Sequence, residues 1–213
     1  MDISMFFLLS ELLGTIAFSI SGVLVAKKQK LDLFGAIVLG VTTAVGGGAI
    51  RDILLGNTPP IMFRDPIYAL TALITAIVIF LIERHSGFLE GSGKRMALLN
   101  IADTIGLGVF AVSGTNMVLL SARASNAFLA LFVGTLTAVG GGILRDMLAG
   151  TIPVVMRKRV YAVAAIIGSA LYYFLRHAFG VPELPSELAS VAVVSAVRFL
   201  AIHYELNLPS FTN

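Results

Sequence analysis

An arginine and an aspartate stand side by side twice in this chain, each time just after three consecutive glycines. The first copy reads Gly46-Gly47-Gly48-Ala49-Ile50-Arg51-Asp52 and the second Gly140-Gly141-Gly142-Ile143-Leu144-Arg145-Asp146. Both lie inside apolar stretches long enough to cross a bilayer. An ionisable side chain in hydrocarbon faces a partner or a water-filled cavity, which makes it a functional candidate by default. Each glycine costs a helix interior about 1 kcal/mol relative to alanine, so a triplet is a weak point. Backbone carbonyls freed at membrane depth are tolerated only where protein or water satisfies them. The chemistry on offer is that of a polar pathway, with spans two and five bending or unwinding at the triplets. The competing reading is close packing, since small residues let helix backbones approach. Duplication beside ionisable residues favours the pathway.

Adjacent helical residues project about 100° apart and do not face one another, so each charge is expected to find its partner on another segment. Glu11 is the candidate for Arg51, and Asp103 for Arg145. On the bland reading, these are structural ion pairs that lock helices together. Thr43 and Thr137 precede the triplets by three residues, and Ser21 and Ser113 occupy matched places in spans one and four. Their hydroxyls could coordinate a cation or hold a substrate, although in such helices they more often bond back to a carbonyl of their own helix. Arg198, in the last span, is expected to snorkel or pair.

The elements that must position these residues are membrane helices. Hydrophobic residues make up 57% of the 213-residue chain and charged residues 13%, where soluble domains carry about 25% charged residues. Mean hydropathy is +0.94. Seven stretches approach the roughly 20 residues needed to span a hydrocarbon core: about 5–26, 33–56, 62–82, 97–120, 126–150, 158–177 and 187–206. The short alternating segments of a β-barrel are absent. The fold class is thus an all-α polytopic membrane protein, a single transmembrane domain over residues 1–213. The absence of cysteine excludes disulfides and thiolate sites, and three scattered histidines argue against a metal cluster. The net charge of +3 reads as anchoring of loops to anionic lipid, with no nucleic-acid partner. The N-terminus carries Asp2 in place of a basic region, and its apolar stretch is echoed later as a mature span, so it does not read as a signal peptide.

The glycine phrase is the centre of a longer repeat. Glu11-x-x-Gly14-x-x-x-Phe18-x-x-Ser21-Gly22 matches Asp103-x-x-Gly106-x-x-x-Phe110-x-x-Ser113-Gly114, and Gly40-x-x-Thr43-Ala44-Val45 matches Gly134-x-x-Thr137-Ala138-Val139. Gly56 and Pro59 answer Gly150 and Pro153; Arg64-x-x-x-Tyr68-Ala69 answers Arg157-x-x-x-Tyr161-Ala162. Repeat one covers about 5–82, repeat two about 97–177, and a seventh helix at about 187–206 is appended. An odd number of crossings per repeat inserts the second copy upside down, relating the halves by a pseudo-two-fold axis in the membrane plane. Lys27, Lys28, Lys30, Arg84, Lys94, Arg95, Arg157, Lys158 and Arg159 gather in the connectors after spans one, three and five. The positive-inside rule makes that side cytoplasmic, with the N-terminus outside and the C-terminus inside an inner (plasma) membrane.

Gly-Gly-x-x-Arg-Asp also resembles a phosphate-handling signature of nucleotidyltransferases, but that chemistry needs a strand, metals and water, and here the phrase ends an apolar helix. No nucleophile–base or metal-ligand constellation supports an enzyme. The doubled phrase in a three-plus-three-plus-one arrangement resembles the prokaryotic TRIC family, the trimeric intracellular cation channels, across essentially the whole chain from about Glu11 to about His203. The resemblance implies a homotrimer with a pore in each subunit. It also implies second and fifth helices kinked at Gly46, Gly47, Gly48 and Gly140, Gly141, Gly142, and conduction of monovalent cations, chiefly potassium. No cofactor is expected; potassium or sodium is the permeant species, and membrane lipid the other partner. Bacterial relatives of that family carry a glycine-transporter label, so a small-solute (glycine-like) secondary transporter is the alternative. Arg51 and Arg145 suit a cation path only if neighbouring carboxylates neutralise them or if they serve as gates.

Overall fold

A computed structural model describes residues 3–87, 92–157 and 160–206, and these are helical apart from turns and short connectors. Asp2, Lys158 and Arg159 lie outside the described residues. The elements in chain order are α1 (Ile3–Lys28), α2 (Leu33–Leu55), α3 (Ile61–Arg64), α4 (Ile67–Ser86), α5 (Ser92–Leu119), α6 (Ala127–Leu148), α7 (Val154–Arg157), α8 (Val160–Tyr173) and α9 (Glu183–His203). A π-helical turn, Phe174–Ala178, ends α8. Seven of these helices are long and apolar enough to cross a membrane. Leu13, Ile53, Ile74, Phe128, Met147 and Leu188 are exposed on the outside of the chain, an apolar surface suited to lipid or to a neighbouring subunit.

The helix ends follow from local chemistry. Asp32 Oδ1 accepts the Gly35 N–H at 2.8 Å to start α2, and Asn126 Oδ1 accepts the Leu129 N–H at 2.9 Å to start α6. Gly56 follows α2 with φ +77° and Gly150 follows α6 by two residues with φ +67°, left-handed turns that glycine adopts at no steric cost. Span three begins later than its apolar composition implies, because residues 61–64 form a separate short helix ahead of Pro66. Span seven begins earlier, at Glu183, directly after Pro182.

The two repeats pack through reciprocal contacts. A Cβ built on Gly47 would lie 2.2 Å from the Thr137 carbonyl oxygen, and one on Gly141 would lie 2.1 Å from the Thr43 carbonyl oxygen. Within each repeat the packing also matches: Gly22 meets the backbone of Leu39 and Gly40 as its counterpart Gly114 meets Gly134 and Thr137. Phe18 packs on its own counterpart Phe110, with ring centroids 5.2 Å apart. When each contact recurs with its partners exchanged, the halves are related by a two-fold rotation, by the logic of an isologous interface. α2 and α6 cross at the centre, flanked by α1 and α5, while α9 packs on α8 and α5.

The expected unwinding of spans two and five is corrected by this packing. α2 and α6 run as α-helix straight through Gly46–Gly48 and Gly140–Gly142. Gly47 and Gly141 lack side chains so that two backbones can touch. The propensity cost of the triplets is offset by the closeness of the crossing.

Candidate functional site

One turn beyond each glycine triplet, the arginine side chain curls back along its own helix. Arg51 Nε donates to Asp52 Oδ1 at 2.8 Å, and Arg145 Nε donates to Asp146 Oδ1 at 2.8 Å. Neighbouring positions therefore do pair, contrary to the expectation from helical projection. The arginine stem is long enough to fold back across the 100° between them. The second oxygen of each aspartate is also engaged. Asp52 Oδ2 accepts the Ile61 N–H at 2.8 Å, and Asp146 Oδ2 accepts the Val154 N–H at 2.8 Å, which ties each arginine helix to the short helix after it.

The cross-helix partners differ between the halves. In the second half, Arg145 Nη1 donates to Asp103 Oδ1 at 2.7 Å, the ion pair that topology suggests, and also to Ser21 Oγ. Ser21 Oγ in turn donates to Asp103 Oδ1 at 3.2 Å. In the first half, no ion pair joins Arg51 to Glu11 among the described residues. Arg51 Nη1 donates to Ser113 Oγ at 3.1 Å, and Ser113 Oγ donates to Glu11 Oε1 at 2.5 Å, so the serine bridges them. Each serine comes from the opposite repeat, a further result of the inversion.

Tyr68 Oη donates to Glu11 Oε2 at 2.6 Å. Its counterpart Tyr161 lies beside Asp103 in the same way, but without the well-aligned hydrogen bond that Tyr68 makes. Aspartate is one methylene shorter than glutamate, and Asp103 is already drawn to Arg145. These tyrosines were legible only as members of the repeat, not as parts of the site; their fixed distance from the Arg-Asp pair was the signal.

The threonines take the bland role. Thr43 Oγ1 donates to Leu39 O at 2.5 Å and Thr137 Oγ1 to Val133 O at 2.7 Å, each within its own helix. Gly46 faces Leu144, and Gly140 faces Gly47 and Ile50, so both serve packing. Gly48 and Gly142 turn toward Arg51 and Arg145, at 3.7 Å from a guanidinium nitrogen to a built Cβ in each case. Arg198 does not snorkel and forms no ion pair among the described residues: it is 2% exposed and its guanidinium lies 4.6 Å from the centroid of the Tyr161 ring.

A cavity of about 40 Å³ lies in the first half, lined by Glu11, Thr15, Gly48, Arg51, Asp52 and Tyr68 with apolar neighbours. A single water needs about 10–15 Å³ of such space, so this cavity has space for a few waters or a partly hydrated ion. Two carboxylates there face one arginine. Among the described residues, no group of three or more His, Cys, Asp or Glu is placed to hold a metal ion. Loose coordination by a few oxygens in a mostly apolar cavity is what the arrangement can provide.

The family profile described as Glycine transporter matches the chain twice, over residues 8–84 and 100–177. The UPF0126 inner membrane protein YadS of Escherichia coli is 38% identical over 94% of both chains. A UPF0126 membrane protein of Deinococcus radiodurans is 40% identical over 93% of this chain and 89% of its own. Solved structures agree. A chain from a study of conductance through TRIC cation channels is 36% identical with a TM-score of 0.83, covering 96% of this chain and 97% of its own. The TRIC trimeric intracellular cation channel orthologue from Rhodobacter sphaeroides is 33% identical with a TM-score of 0.81, covering 94% and 98%. A prokaryotic TRIC channel crystallised in 0.5 M KCl is 31% identical with a TM-score of 0.86, covering 97% and 100%. On these likenesses and on its doubled, inverted glycine–arginine architecture, the chain belongs to the prokaryotic TRIC family, which includes the bacterial UPF0126 membrane proteins and the family described as Glycine transporter.

Proposed function

We propose that this protein is a monovalent-cation channel, with potassium as its chief ion and sodium as the lesser candidate. Each subunit of a homotrimer carries its own pore, shaped by α2 and α6 at the glycine triplets. The observation that carries this reading is the first-half cavity: Arg51 is neutralised in place by Asp52, which leaves Glu11 as excess negative charge on its wall. This removes the main objection to a cation path, an uncompensated arginine beside it. The likeness to TRIC cation channels supports the same conclusion. Two carboxylates and the hydroxyls of Thr15 and Tyr68 favour weak binding, which lets ions leave as readily as they enter. The basic connectors set the membrane orientation, with the N-terminus outside and the C-terminus cytoplasmic.

Reconstitution of the purified protein into planar bilayers tests the proposal. Unitary currents carried by potassium are expected. Saturable glycine uptake without unitary currents overturns it in favour of a carrier, the reading suggested by the name of the family profile. Against a carrier stands the engagement of both arginines by their own carboxylates, which leaves neither free to grip a zwitterion's carboxylate.

A further inference from the structure

The two half-sites begin from matched sequence yet end in different surroundings. Glu11, Gly48 and Tyr68 are half-buried and line a cavity. Their counterparts Asp103, Gly142 and Tyr161 are buried, and Arg145 is 2% exposed. One methylene separates Glu11 from Asp103 within the repeat, and a helix outside the repeat adds a further difference. α9 packs against α5 and α8, with Val191 on Gly108 and Val194 on Gly168, and has no equivalent beside α1 and α4 among the described residues. It brings Arg198 over the Tyr161 ring at 4.6 Å. A guanidinium over an aromatic face is attracted by the ring's quadrupole, more strongly where water is excluded. Arg198 Nε is buried there without a hydrogen-bond partner among the described residues.

From this juxtaposition we infer that Arg198 is a lid and charge barrier for the second half-site: it admits a cation to the first half-site and refuses it at the second until the Arg198–Tyr161 stack parts. The inference rests on the channel reading for the identity of the ion. The electrostatics follow directly. In the first half-site Glu11 and Asp52 face one arginine, Arg51; in the second, Asp103 and Asp146 engage Arg145, and Arg198 adds a second positive charge behind the Tyr161 ring. The first attracts a cation and the second is balanced. Parting the stack withdraws one positive charge and exposes the Tyr161 hydroxyl, so the second half-site acquires the wall that the first already has.

The chain has no cysteine, which permits a matched test. Gly48→Cys and Gly142→Cys place thiols beside the two arginines, where a Cβ meets nothing closer than 3.7 Å and 3.4 Å respectively. Each variant, in proteoliposomes, is treated with a cationic methanethiosulfonate reagent. Cys at 48 is expected to react about tenfold faster or more than Cys at 142, and Arg198→Met is expected to raise the rate at 142 by a similar factor while leaving 48 unchanged. Tyr161→Leu, which removes the stacking face and keeps the arginine, is expected to have the same effect and serves if Arg198→Met does not fold. Equal rates at 48 and 142 in the parent, or continued protection at 142 in folded lid variants, overturn the inference. Potassium currents recorded in parallel separate the two claims. A higher open probability in Arg198→Met supports the barrier, whereas the cysteine pattern without any current upholds the lid and overturns the channel.

Discussion

At the scale of single residues, the two acidic members of the repeat, Glu11 and Asp103, are one methylene apart in length and do different work. Asp103 is locked to Arg145 at 2.7 Å in a buried pair. Removing one member of a buried ion pair leaves the other uncompensated, at a cost of about 3–5 kcal/mol. Asp103→Asn is therefore expected to lower thermal stability in detergent severely. Among the described residues Glu11 is hydrogen-bonded by neutral donors, Ser113 and Tyr68, so Glu11→Gln should cost about 1.5–3 kcal/mol, the value of a hydrogen bond to a charged group. It should nonetheless reduce potassium conductance, because it removes the cavity's excess negative charge. Equal losses of stability in the two variants would count against this division of labour.

At the scale of elements, the glycine triplets are not three equivalent positions. Gly47 and Gly141 sit under opposing carbonyls, and an added methyl at 2.2 Å or 2.1 Å must push whole helices apart. Overpacking of a close-fitting core costs about 1–3 kcal/mol, more where backbone has to move. Gly47→Ala and Gly141→Ala are expected to abolish the folded oligomer on size exclusion. Gly48→Ala meets nothing closer than 3.7 Å and gains about 1 kcal/mol of helix propensity, so it should fold at least as well as the parent. Its methyl enters the wall of the cavity, and single-channel conductance should fall. A Gly48→Ala protein that conducts normally would argue that ions do not pass this wall.

At the scale of the whole molecule, inversion of the repeat brings each serine into the other repeat's charge network, so neither half can assemble its site alone. Ser113 completes the Arg51 site and Ser21 the Arg145 site. Folding of an isolated half should therefore leave its arginine partly unpaired. A fragment ending after α4 is expected to be degraded on expression, and co-expression with the remaining chain should rescue it. The proposed orientation is checked by fusions at the C-terminus: green fluorescent protein should fluoresce there, and alkaline phosphatase should stay inactive. The reverse pattern would show that the basic connectors do not govern insertion.

The seven helices, the doubled three-span unit and its inversion were all legible in the residues, because hydropathy over about 20 positions and an odd number of crossings leave little freedom. The site was legible in part: Arg51, Asp52, Arg145, Asp146, Glu11, Asp103, Ser21 and Ser113 do come together in two networks. Sequence could not tell that Arg51 reaches Glu11 only through Ser113, since that depends on distances of a few ångströms between helices remote in the chain. Nor could it tell that the triplets stay helical, because glycine's local weakness and its value in close packing predict opposite outcomes, and only a second helix at contact distance decides between them. The inequivalence of the halves was the least legible feature. A repeat encodes likeness, and the covering of Tyr161 by Arg198 arises from a helix outside the repeat, whose position is set by packing on α5 and α8. Local periodicity thus determined the elements and their symmetry, while tertiary contact decided which charges are neutralised, which are covered and which face open space.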